Sequence, residues 1–148
     1  MTDRAAGDQA TGAADWVAFE ERLARFMRAL NEDESVVLAV SDSDHSAKVL
    51  ALGGGYLHAE LSLARKADPS GALVLGWQDS PHGLLAKAKL GPRKLNADVS
   101  RREAPRLAGM LVSVLRDVWS TNSPQSLRVS APDGGPPVEQ LQIPVGKG

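Results

Sequence analysis

Ala47-Lys48-Val49-Leu50-Ala51-Leu52-Gly53-Gly54-Gly55-Tyr56-Leu57-His58-Ala59-Glu60-Leu61-Ser62-Leu63 is the stretch that decides the fold. Successive side chains of a strand point to opposite faces, so period-two alternation marks a sheet with one buried face. Leu57, Ala59, Leu61 and Leu63 point one way, and Tyr56, His58, Glu60 and Ser62 the other. Ala47 to Leu52 reads as a second strand, and the three glycines between them supply a tight hairpin. The same glycines are no phosphate cradle. A P-loop needs GxxxxGK[ST] and a dinucleotide site needs GxGxxG opening a helix, whereas these open a strand.

Upstream, Val36 to Val40 is a valine-rich run expected to be a strand buried on both faces. Before it, Trp16, Phe19, Leu23, Phe26 and Leu30 recur at helical spacing, which predicts a helix over about residues 14–30. Asp15 is placed to cap it, and Glu21 precedes Arg25 by one turn in the favourable order for an ion pair. Downstream, Ala72 to Trp77 reads as strand or one helical turn. Leu84 to Leu90 reads as a strand, Gly91-Pro92 as a turn, and Leu95, Ala97 and Val99 as a returning strand. A second long helix is expected over about residues 101–119, with Ser100 and Glu103 at capping-box spacing and Pro105 pushing its regular part later. Leu107, Leu111, Val114, Leu115 and Val118 form its stripe, and Leu127, Val129 and Ala131 mark a last strand. The expected fold is α+β, with an antiparallel sheet of about five strands and two long helices packed on one face.

With 148 residues the chain suits one domain with a real core. Residues 1–13 are small, polar and expected to be disordered, 14–131 form the domain, and 132–148 are a Pro/Gly-rich tail. In that tail Val138, Leu141, Ile143 and Val145 are apolar enough to dock. The net charge of −1 removes a global drive toward nucleic acid. Charge is nonetheless uneven: ten acidic residues face four arginines up to Asp44, and Lys87, Lys89, Arg93, Lys94, Arg101, Arg102 and Arg106 cluster later. Absence of cysteine excludes disulfides and thiol chemistry and fits a reducing cytoplasm. With no signal core and no long apolar run, a cytoplasmic protein without a membrane partner is expected.

Candidate chemistry is sparse. His58 and Glu60 share a strand face, but a metal needs further ligands, and His45 and His82 lie in other loops. Ser41-Asp42-Ser43-Asp44-His45-Ser46 contains the residue types of a hydrolytic triad. Triads converge from separate elements, however, and there is no GxSxG elbow. The basic stretch from Lys87 to Arg106 lacks the interleaved aromatics that stack bases. No catalytic, cofactor or metal residue is therefore expected. Trp77 in Leu75-Gly76-Trp77-Gln78-Asp79-Ser80-Pro81 either closes the core or, if exposed, anchors an interface.

These segments together resemble the superfamily of type III secretion chaperone-like and YbjN-like domains, called TY-Chap. Trp16-Val17-Ala18-Phe19 matches its opening helix, and Ala59-Glu60 its small-residue–Glu strand. Leu75-Gly76-Trp77 with Pro81 matches its Leu-Gly-Trp motif, and Leu115-Arg116-Asp117-Val118 its late helix. The likeness spans residues 15–131, and the Ala/Gly/Arg richness fits the actinobacterial members. It departs at Asp68-Pro69-Ser70-Gly71-Ala72, where the family's short helix is expected to be lost. That puts a homodimer of the usual form in doubt. The resemblance implies a non-enzymatic chaperone or adaptor that holds a segment of a client protein. The alternative is a small-molecule-sensing domain with no client. Leu50, Leu52, Trp77, Leu84 and Leu85 fall off the core-facing stripe or at element edges, and are the expected contact surface.

Overall fold

Strands β2 (Ser46–Leu52) and β3 (Tyr56–Leu63) pair antiparallel, with Ala47 opposite Leu61 and Leu52 opposite Tyr56. Gly54 and Gly55 turn between them at φ +81° and +82°, a region that L side chains rarely enter. The computed structural model describes residues 3–41, 43–63, 70–79 and 93–146. The expected strand at Leu84–Leu90 and the Gly91-Pro92 turn lie outside them.

Around this hairpin the sheet has the order β4-β5-β3-β2-β1-β6, and every pair in it is antiparallel. The other strands are β1 (Ser35–Val40), the two-residue β4 (Gln78–Asp79), β5 (Arg93–Ser100) and β6 (Leu127–Ser130). The architecture is thus α+β, with five full strands and a short edge strand. β6 follows the second long helix yet pairs with β1, so the chain crosses the whole sheet to reach its far side.

Helix α1 runs from Asp3 to Arg28. It begins well before the start near residue 14 that its apolar stripe indicates, so Asp15 lies inside the helix and does not cap it. Ala5, Ala6, Ala10, Ala13 and Ala14 explain the longer helix, since alanine favours helix with or without a buried stripe. Helix α3 (Ala104–Ser113) follows a single tight turn at Arg101–Glu103. The Ser100 hydroxyl accepts from the Arg102 amide, and Pro105 falls within the first helical positions, where its missing N–H costs little. The last turn, Val114–Val118, widens to π geometry, with the Trp119 amide bonded to the Val114 carbonyl at 2.8 Å.

Both helices lie on the face of Leu57, Ala59, Leu61 and Leu63. Phe19, Leu23, Phe26, Leu107, Leu111 and Leu115 are buried there with Val36, Leu38, Ala47, Val49, Leu95, Leu127 and Val129. β1 is not covered on both faces as its valine run suggests. Val37 and Ala39 on the other side are half-buried, because only one face carries helices.

The short helix before the Gly-Trp pair is present as α2 (Ser70–Val74), which corrects the expectation of its loss. Gly71 permits it: a Cβ there would meet the Val118 methyls at 3.2 Å. Gly76 at φ +104° then ends α2 in the manner of a C-terminal glycine cap and turns Trp77 into the core, 2% exposed. The C-terminal segment docks. It forms a single helical turn at Val138–Leu141, buries Leu141 and Ile143, and lays Val145 beside Val129.

Truncating Phe19 to alanine should cost about 3–5 kcal/mol in urea unfolding, as for other buried aromatic residues. Tyr56→Ala, on the uncovered face, should cost below about 1 kcal/mol. Equal losses would contradict one-sided burial.

Candidate functional site

The face of the sheet opposite the helices follows from the same alternation that builds the core. Cross-strand register sets its residues in rows. Ser130, Val37, Lys48, Glu60, Asn96 and Gln78 form one, and Ser35, Leu50, His58 and Asp98 the next. Leu52, Tyr56 and Ser100 make a third at the hairpin end.

Polar groups on this face are largely paired with each other. His58 Nδ1 lies 2.6 Å from Asp98 Oδ1, directly across β3 and β5. Lys94 Nζ donates to Glu60 Oε1 at 2.9 Å, and Ser35 Oγ donates to Asp133 Oδ2 at 2.8 Å. Lys48 Nζ stands 3.9 Å from that same carboxylate. Solvent-exposed pairs of this kind contribute little to stability, about 0–1 kcal/mol each. They leave one apolar corner, where Leu52 and Tyr56 are 37% and 53% exposed and Leu50 is half-buried beside Ser35. Apolar side chains of this kind can contact an extended chain.

The expected contact residues separate. Leu50 and Leu52 share the uncovered face. Trp77 does not join them, which corrects its reading as an interface anchor: the Gly76 turn buries it, and its Nε1 has no hydrogen-bond partner among the described residues. Leu84 and Leu85 lie outside the described residues. Tyr56 shares the uncovered face, and its place opposite Leu52 across the glycine turn is legible in the sequence. Leu73 and Val74 on α2 are also exposed, which the sequence does not reveal because their stretch reads equally as strand.

Elsewhere, His45 stacks on Trp119 with ring centroids 4.7 Å apart and planes 11° from parallel. Its loop is a polar turn, in which the His45 amide donates to Ser43 Oγ at 3.1 Å. Arg116 donates twice to Asp117 at 2.9 Å, raising the guanidinium pKa and holding the Asp117 carboxyl below its usual range. His58 and Glu60 gain no third ligand: no group of three or more metal-ligating side chains occurs among the described residues. Among the described residues no helix is long and apolar enough to cross a membrane.

A family described as T3SS (YopN, CesT) and YbjN peptide-binding chaperone 3, TY-Chap3, matches residues 8–133. No curated protein and no solved structure matches the chain.

Burial against Trp119 lowers the His45 pKa from the ordinary 6.5, with Asp44 opposing the shift. A depressed folded pKa means that the unfolded chain binds the proton more readily. The stability contribution is therefore complete above 6.5 and is lost as pH falls through the folded value. Urea midpoints measured from about pH 8 to about pH 5 should fall more steeply in the wild type than in His45→Phe. Parallel profiles would remove His45 from the acid response.

Proposed function

The chain belongs to the TY-Chap3 family over most of its length, and on that premise we propose that it is a non-catalytic adaptor holding an extended segment of a client protein. The observation that carries this reading is a sheet covered by helices on one face and presenting Leu50, Leu52 and Tyr56 on the other. Such a surface suits recognition. Apolar side chains select alternate residues of an extended chain, and the surrounding charge pairs keep the free face soluble.

The small-molecule reading has less support. The hollow between α1 and the start of α3 measures about 290 Å³ and is lined by Glu20, Glu21, Ala24, Arg25, Arg28 and Pro105. Ligand pockets are commonly ~300–1,000 Å³ and mostly apolar. This hollow is at the lower limit, and it and a second one of about 460 Å³ beside Arg28, Arg101 and Arg102 are bordered mainly by charged residues.

The test is capture of the tagged protein from its native host, with sizing of what elutes. A stoichiometric polypeptide is expected. Leu50→Asp with Leu52→Asp should reduce its recovery at least tenfold while lowering stability by less than about 1–2 kcal/mol. Full retention by the folded double variant would move the contact elsewhere. A wild-type protein that elutes alone, and whose melting temperature rises with a metabolite, would replace the adaptor reading with the sensor.

A further inference from the structure

Antiparallel pairing with β1 leaves Val129 with its amide and carbonyl pointing away from the sheet. Unpaired edge groups of this kind template the addition of another strand. Here both are occupied by the chain itself. The Val129 amide donates to the Pro144 carbonyl at 2.9 Å, and the Gly146 amide donates to the Val129 carbonyl at 2.7 Å. Val145 thereby runs parallel to β6. Leu141 and Ile143, two residues apart, are buried, while Val145 is 55% exposed. Two side chains of the domain clamp carbonyls of the segment: Arg22 Nε on Leu141 at 3.1 Å and Gln125 Nε2 on Gln142 at 2.8 Å.

All these polar contacts reach main-chain atoms of the segment, and two sockets receive its side chains. A separate peptide can satisfy the same demands. Family likeness ends at residue 133, so the edge belongs to the shared domain and its occupant lies beyond it. The connection carries no regular helix or strand of its own: Pro132, Gly134, Gly135, Pro136 and Pro137 link the two, with both glycines at positive φ. The connection also reaches the uncovered face. Asp133 bonds Ser35, which lies directly opposite Leu50 across β1 and β2.

We propose that residues 138–146 are a displaceable latch on the β6 edge. A client segment with two large apolar residues separated by one intervening residue takes its place, pairing with Val129 and filling the sockets of Leu141 and Ile143. This rests on the client-holding reading and adds its regulation. A tethered segment acts at high effective concentration, so the latch lowers apparent client affinity by the fraction of chains in which it is closed. Weak clients are excluded. Release of Asp133 at the same time bares Ser35 beside the Leu50 corner.

The probe is a labelled peptide with the sequence of residues 137–148, added in trans to the full chain. Wild type should bind it weakly. The full-length variant Leu141→Ala with Ile143→Ser should bind it at least tenfold more tightly, because its own latch no longer competes. A folded variant with wild-type affinity overturns the proposal. Hydrogen exchange on the wild type is a second, independent test. The Val129 amide should exchange at least about a hundredfold faster than amides in the β1–β2 ladder, because the latch opens without global unfolding. Equal rates would make the segment a permanent part of the core and overturn the proposal, even if the double variant fails to fold. Because the peptide is the chain's own, its binding with no client found would discard the client reading and keep the edge site. A client held equally by wild type and variant would do the reverse.

Discussion

One-sided burial of β3 organises the whole structure. Its leucines and Ala59 lie at the middle of the sheet, and β2 and β5 repeat the alternation in register on either side. Two helices are enough to cover the apolar face, and the chain has no third long helix among the described residues for the other. What α1 and α3 leave uncovered therefore has to be soluble by itself. The His58–Asp98 hydrogen bond and the Glu60–Lys94 ion pair serve that end more than stability, since exposed polar pairs are worth little.

An open sheet also has edges. At one side β4 contributes two residues beside β5; at the other, β6 is paired outward by the chain's own end. Backbone groups at an edge need partners as much as side chains in a core need contacts. The β6 edge and the Leu50 corner are bridged by one carboxylate, Asp133, which touches Ser35 and stands near Lys48. That contact joins the covered edge to the uncovered face.

Local backbone geometry accounts for the family's Leu-Gly-Trp motif. α2 lies close against the π turn after α3, where a Cβ at position 71 would crowd the Val118 methyls at 3.2 Å, and its C-terminus needs the positive φ of Gly76. The result is a buried Trp77. The motif is thus an element of packing in this chain, and the contact surface proposed above is built from less conspicuous residues, Leu50, Leu52 and Tyr56.

The sequence by itself determined the fold class, the glycine hairpin, the core-facing sets of β3 and of both helices, and the family. Each of these is carried by a period or a short motif written within a few turns or strands. Only the tertiary structure decided the rest. Trp77 reads as core or contact until the positive φ of Gly76 is seen to turn it inward. Val36–Val40 reads as doubly buried until the helices are seen to lie on one side alone. Val138, Leu141, Ile143 and Val145 carry no period that says what they meet, because their partners Arg22, Gln125 and Val129 come from distant parts of the chain. Burial against such partners depends on which surfaces folding brings together, and local spacing does not encode it.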